Sequence, residues 1–413
     1  MKKVLFFTVI GALVVGIAAV MPSPAVAKKK PIKIGFFAPL TGHAAQTGRD
    51  MLSGLQVFLT EQGWKVAGRK IELISEDSEA KPAVALTKVR KLVEKDRVHV
   101  VIGGLMASSG YALMPYADSK KIPAIYAIMA SDDLTQRKPG KWMVRTGWAS
   151  SQPSHPFGEY AYKELGYRKI ATIGYDYAFG WEVIGGFQTT FEDAGGTIIQ
   201  KLWAPVGTLD YGPYLGRISK EADAVCALFF GAGALQFVKQ YKDYGLKGKI
   251  PLLGGGTTTD EHVLPSMGDE AIGIMTTLHY SQAIDTPENK KFATAFKNFA
   301  GKIASYYGEG PYTGGKWIIE AAKAIKGDVE DREKFLEALK SLKMPDAPRG
   351  PIELDKFGNP IQNIYIRKVE RVGGELQNTV VKVYPKVSQF WKYNPDEYLK
   401  KPLYSRDYPP LKK

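Results

Sequence analysis

The chain has 413 residues, 45% hydrophobic and 24% charged, the profile of a folded globular protein long enough for two cores rather than one. A single cysteine excludes an internal disulfide framework. The formal net charge of +14 is scattered among acids, which argues against a nucleic-acid surface and suits long-range attraction of anionic solutes.

Lys2 and Lys3, the apolar run from Val4 to Met21 and the small-x-small site Ala25-Val26-Ala27 form a secretory signal, with cleavage expected after Ala27 and a periplasmic destination. No cysteine stands there for a lipid anchor, and no later apolar run reaches the length of a bilayer span. Ile32 to Phe37 then reads as a strand and Gly48 to Gln62 as a helix, with Met51, Leu55, Phe58 and Leu59 at helical spacing. Ile71 to Ser75, Val98 to Ile102 and Ala124 to Tyr126 are further strands, separated by helices at Lys81 to Lys95 and Ser109 to Lys120. Such alternation predicts a parallel sheet covered on both faces.

The same pattern restarts with helix Gln152 to Glu164 and strand Ile170 to Gly174. Helices follow at Trp181 to Ala194, Tyr211 to Lys220 and Leu235 to Tyr244, and strands at Thr197 to Trp203, Ala224 to Phe230, Pro251 to Leu253 and Gly273 to Leu278. Helices at Pro287 to Tyr307, Tyr312 to Lys326 and Asp331 to Leu342 exceed what a second unit needs. A hairpin over Ile361 to Val369 and Thr379 to Val383 precedes a Tyr- and Pro-rich tail too aromatic to be disordered. Cys226 falls in a buried strand and reads as a small hydrophobe.

Ligands of open parallel sheets bind beyond the carboxyl ends of the strands, so the post-strand loops are the informative ones. Pro39 to Gly42 with Gln46-Thr47-Gly48 opens one helix, and Gly103-Gly104-Leu105-Met106-Ala107-Ser108-Ser109 opens another. The free amides of that second start, beside Ser108 and Ser109, suit a carboxylate; helix capping by either serine is the plainer alternative. Ile128, Ala130 and Ser131 follow a third strand, and Tyr175, Tyr177 and Phe179 crowd a turn that is normally polar, as a lining for an apolar or aromatic solute or as packing between lobes.

Across the mature chain, Pro39-Leu40-Thr41-Gly42, Val100 to Gly104 with Ser108-Ser109, Arg145-Thr146, Asp176 to Gly180, Pro251 to Gly254 and Gly350 to Asp355 stand in a characteristic order. In this the chain resembles the periplasmic solute-binding components of branched-chain amino-acid-type ABC importers. The resemblance implies an α/β fold of two Rossmann-like lobes with parallel sheets, joined by a three-crossing hinge, the type I periplasmic binding fold. It places one lobe at residues 28–148 plus 281–349, the other at 149–280 plus 350–383, and a tail at 384–413. It also implies closure around a small organic acid and delivery to a membrane permease. The family's carboxylate loop falls on Met106, Ala107, Ser108 and Ser109, its post-strand contacts on Ile128, Ala130 and Ser131, its covering ring on Phe179 and a wall residue on Tyr312.

Amino-acid binders of that family carry an acid after the strand ending at Leu253, to hold an ammonium. Here the stretch is Gly254-Gly255-Gly256-Thr257-Thr258-Thr259, with Gly256 and Thr257 nearest the expected ligand and no acid before Asp260. A buried ammonium without a charge partner is disfavoured. An aromatic or aliphatic carboxylate is therefore expected, with a branched-chain or other hydrophobic amino acid as the alternative. A sensor subunit for a signalling partner is the alternative of another class.

Gly310 to Lys316 imitates a phosphate loop, but Trp317 stands where a Ser or Thr must hold Mg²⁺. The adjacent Asp260, Glu261 and His262 diverge, and the five histidines lack metal spacing. A monomer is expected, without cofactor, metal, nucleic acid or catalysis.

Overall fold

The computed structural model describes residues 1, 3, 30–42 and 44–412, so the expected signal segment lies outside it apart from Met1 and Lys3. The first lobe is built in the order β1 (Ile32–Ala38), α1 (Ala45–Glu61), β2 (Lys65–Val66), β3 (Arg69–Asp77), α2 (Pro82–Arg90, continued by a π turn to Lys95), β4 (Val100–Gly103), α3 (Ala107–Lys120), β5 (Ala124–Tyr126) and β6 (Met143–Arg145). Its sheet runs β2-β3-β1-β4-β5-β6, parallel except for β2. Ile32, Ile34, Phe36 and Phe37 of β1 are all buried, because helices cover both faces.

The second lobe begins with α4 (Ser154–Lys163), β7 (Lys169–Tyr175), α5 (Ala178–Asp193), β8 (Thr197–Ala204), α6 (Gly212–Leu215), β9 (Ala224–Leu228), α7 (Gly231–Asp243), β10 (Leu252–Gly255) and β11 (Met275–Leu278). Only one turn, α6, forms where a helix to Lys220 was predicted, and Gly216 stands at its end. The chain then returns to the first lobe as α8 (Pro287–Ala300), α9 (Tyr306–Ala324) and α10 (Arg332–Ser341). It crosses again to β12 (Lys343–Met344), β13 (Ile352–Leu354), β14 (Pro360–Val372) and β15 (Glu375–Val387), and ends beyond α11 (Pro395–Lys400). The second sheet runs β12-β13-β14-β11-β10-β9-β7-β8, with β15 on β14; the hairpin of β14 and β15 is longer than the sequence pattern indicates.

Glycine lets α1 and α9 touch backbone to backbone. A Cβ on Gly54 would stand 1.9 Å from the Gly308 carbonyl oxygen. Gly54→Ala should force the helices apart and destabilise the first lobe by about 1–3 kcal/mol, read as a lower urea midpoint. An unchanged midpoint would mean that this contact is not tight in solution.

The tail is seated. Arg137 of the first lobe donates to the carbonyls of Leu399 and Lys401, at 3.3 and 2.8 Å. On the second lobe, Tyr393 donates to Asp193 at 2.6 Å and Arg406 pairs with Asp176 at 3.0 Å. Among the described residues no helix is long and apolar enough to cross a membrane.

Candidate functional site

In each sheet the strand order reverses once beside the first strand laid down, between β1 and β4 and between β7 and β9. Four helices start at the carboxyl ends of these strands: α1 and α3 in one lobe, α5 and α7 in the other. Their first residues converge on one cavity of about 680 Å³ between the lobes. Ala44, Gln46 and Thr47 come from α1, Leu105, Met106 and Ala107 from α3, Tyr175, Tyr177 and Phe179 from the start of α5, and Phe230 to Gly233 from α7.

The residues that precede these helices are Ala44, Met106, Tyr177 and Phe230, and none makes a side-chain cap. By contrast Thr286, Ser305, Asp331 and Asn394 cap α8, α9, α10 and α11 through side-chain oxygens. Uncapped first turns keep donors available to a ligand, and the positive ends of four helix dipoles favour negative charge. Neither Ser108 nor Ser109 caps α3, since Met106 occupies that position.

Rings make the rest of the wall. Trp148 stands 5.6 Å from Phe179 and 6.0 Å from Tyr306, Tyr177 stands 6.1 Å from Phe179, and Tyr306 and Tyr307 lie 4.0 Å apart. Burial raises the hydroxyls of Tyr175, Tyr177 and Tyr306, so they remain neutral donors at physiological pH. His262 also lines the cavity, and its Nδ1 lies 2.9 Å from Asp50 Oδ2 of α1, a contact between the lobes. Lys302 pairs with the same carboxylate.

Among the described residues no acidic side chain lines this cavity. Asp176 is held by Trp181 Nε1 at 2.9 Å and by Arg406, and buried Asp260 accepts from the His262 amide at 2.9 Å.

Thr47, Met106, Ala107, Ile128, Ala130, Tyr175 and Phe179 are brought together here. Six other residues singled out in the sequence are not part of the wall. Ser108 is exposed on α3, and Ser109 is buried one residue further along it. Ser131 is fully buried, with its carbonyl taken by Arg145. Gly256 and Thr257 serve the fold instead: the Gly256 carbonyl accepts from Arg367 at 2.7 Å, and the Thr257 hydroxyl donates to Phe229 O at 2.8 Å. Tyr312 lies inside the first lobe, 5.2 Å from Phe58 and 4.7 Å from Phe292, with its hydroxyl on Glu61 at 2.8 Å. The helix that carries it begins at Tyr306, so Tyr306 and Tyr307 reach the cavity instead.

Sequence reasoning missed Trp148, His262, Tyr306 and Tyr307, together with Val206, Gly207 and Leu209 and the stretch Phe230 to Gly233. The strand-end rule would have found Val206 to Leu209 after β8 and Phe230 to Gly233 after β9. Trp148 arrives on the segment that crosses between the lobes after β6, for which no local pattern exists, whereas Tyr306 opens α9 behind the Ser305 cap, a start that sequence reasoning placed at Tyr312.

Residues 31–375 match the family described as periplasmic binding protein. A Leu/Ile/Val-binding protein homolog from Brucella melitensis is 30% identical over 363 residues, 86% of this chain and 92% of that one. An ABC transporter substrate-binding protein from Sphaerobacter thermophilus is 36% identical with a TM-score of 0.83, covering 87% of this chain and 99% of that one. The solute-binding protein of an ABC transporter from Rhodopseudomonas palustris BisB5, solved with 3,4-dihydroxybenzoic acid, is 33% identical with a TM-score of 0.82 and covers 87% and 98%. With its two lobes, its hinge and its cleft in place, the chain belongs to the periplasmic binding protein family, as a substrate-binding protein of an ABC transporter.

Proposed function

We propose that this protein captures a small aromatic carboxylate by closing its lobes and presents it to the permease of an ABC importer, as a periplasmic monomer that binds without chemical turnover. The observation that carries the reading is the charge pattern of the cleft: four uncapped helix starts and, among the described residues, no acid on the wall. A carboxylate gains from those amides, while the ammonium of an amino acid would lack an ionic partner. The aromatic walls suit a planar body, and the Rhodopseudomonas palustris relative was solved with such an acid. In this reading the amides at Met106 and Ala107, with Thr47, hold the carboxylate, while Phe179, Tyr175 and Trp148 flank the ring and Ile128 and Ala130 form its floor.

Closure is a population shift, since the solute touches both lobes only when they meet. The test is a thermal-shift series with benzoate, 4-hydroxybenzoate, 3,4-dihydroxybenzoate, octanoate, leucine and isoleucine. A ligand at a hundred times its Kd stabilises by about 2.7 kcal/mol, so a clear rise in midpoint is expected with the aromatic acids. A rise with leucine or isoleucine alone would overturn the assignment in favour of amino-acid binding.

A further inference from the structure

A second cavity, of about 170 Å³, lies where three stretches of chain meet: the Asp132 to Arg137 turn of the first lobe, α5 of the second, and the tail from Tyr398 to Tyr408. Asp132 and Glu182 line it from opposite lobes, only 4% and 7% exposed. Asp132 Oδ1 accepts from the Ser151 amide at 3.0 Å, but Asp132 Oδ2 and Glu182 Oε2 find no hydrogen-bond partner among the described residues. A buried carboxylate oxygen without a donor is costly, so these two acceptors call for something to meet them.

The neighbouring cations are committed elsewhere. Arg137 pairs with Asp133 at 2.9 Å and holds tail carbonyls. Arg145 is fully buried and donates to Thr135, Asn359 and the Ser131 carbonyl. Lys401 Nζ lies 4.8 Å from the Tyr393 ring centre. Counted over the residues that line the wall, Asp132, Asp133 and Glu182 carry three negative charges when ionised and Arg137 and Lys401 two positive ones, which leaves one negative charge in excess. One positive charge restores neutrality. Among the described residues no group of three or more acidic, histidine or cysteine side chains stands close enough together to hold a metal ion. Trp181, Tyr398 and Tyr404 instead bring aromatic rings, which attract organic cations.

We propose that this cavity is a second binding site, for a small organic ammonium ion, formed by Asp132 and Glu182 across the lobes and roofed by the aromatic tail. It does not depend on what the main cleft binds, since none of these residues lines the cleft.

Without a cation the pair holds protons. Burial, and then the charge of Asp132, push the Glu182 carboxyl well above its ordinary range, and burial pushes Asp132 up to about 6. The other titratable groups facing them are Asp133, Arg137, Arg145, Lys401, Tyr111, Tyr398, Tyr404 and Tyr408; burial raises Tyr111, Tyr398 and Tyr404, which stay neutral. An ammonium ion favours the ionised carboxylates and so displaces protons, which makes binding tighten as pH rises from about 5.5 to 7.5.

Isothermal titration calorimetry of the full chain with methylammonium chloride at pH 7.5, at constant ionic strength, tests the assignment. Saturable binding is expected, at least about tenfold tighter than for potassium chloride and about tenfold weaker in Glu182→Gln, with affinity falling at pH 5.5. Glu182→Gln keeps the shape and removes the charge, so its thermal midpoint should not fall below that of the parent protein; should it fail to fold, Asp132→Asn gives the same reading. No saturable heat with the parent protein, equal affinity in the variant, or potassium binding as well as methylammonium would each overturn the proposal.

Discussion

Replacing Arg349 by methionine is expected to lower the unfolding free energy by about 3–5 kcal/mol, the range for breaking a buried ion pair from one side. Arg349 and Glu309 are both fully buried and 2.7 Å apart. The guanidinium also donates to the Thr146 carbonyl and, at 3.4 Å, to that of Gly147. Thr146 and Gly147 follow the last strand of the first sheet, Glu309 sits on α9, and Arg349 lies between β12 and β13, just past the return to the second lobe. One side chain therefore ties two of the chain's crossings to the helix beside them. Glu309→Leu together with Arg349→Met should recover part of the loss, because a well-packed apolar pair often matches a buried ion pair. Recovery should be incomplete, since the Thr146 and Gly147 carbonyls lose a donor. Urea unfolding checks both variants, and a loss below about 1 kcal/mol in Arg349→Met would show that water reaches the pair.

The second large effect concerns the cleft and rests on the function proposed above. Ala107→Asp places a carboxylate at the first turn of α3, where the bound anion is expected. Two like charges about 4 Å apart repel by about 4 kcal/mol at an effective dielectric of 20, which corresponds to roughly a thousandfold loss of affinity. The same substitution should stabilise the helix by about 0.3–1 kcal/mol, because acids at helix starts favour the dipole. Binding and stability thus move in opposite directions, so a folding defect cannot imitate the effect. Ala107→Asn, equal in size and uncharged, should retain most of the affinity. Calorimetry with whichever acid stabilises the protein decides it, and an unchanged Kd in Ala107→Asp would remove α3 from the carboxylate site.

The two-lobed fold was legible because strands buried on both faces, such as Val100–Gly103 and Ala224–Leu228, carry continuous apolar runs between helix-length segments. The half of the site built from strand ends was legible for the same reason: a parallel strand delivers its following residues to one edge of the sheet. Thr47, Met106, Ala107, Tyr175 and Phe179 are of that kind. Tyr312 was misplaced because Gly310-Pro311 resembles a helix start, whereas Ser305 starts α9 five residues earlier by accepting from the Tyr307 amide at 3.1 Å. Gly256 and Thr257 look like free ligand contacts until Arg367, more than a hundred residues later, donates to the Gly256 carbonyl and the Thr257 hydroxyl donates to that of Phe229. Such long-range pairing leaves no trace in local pattern.

The interleaving of the lobes also bears on the order in which this polypeptide acquires structure. Neither half closes its core from contiguous chain: the sheet of β1 to β6 waits for α9 to pack on α1, and the sheet of β7 to β11 waits for β14 to seal the edge at β11. Stable structure is therefore postponed until nearly the last residues have been synthesised, because contacts this distant in sequence form late.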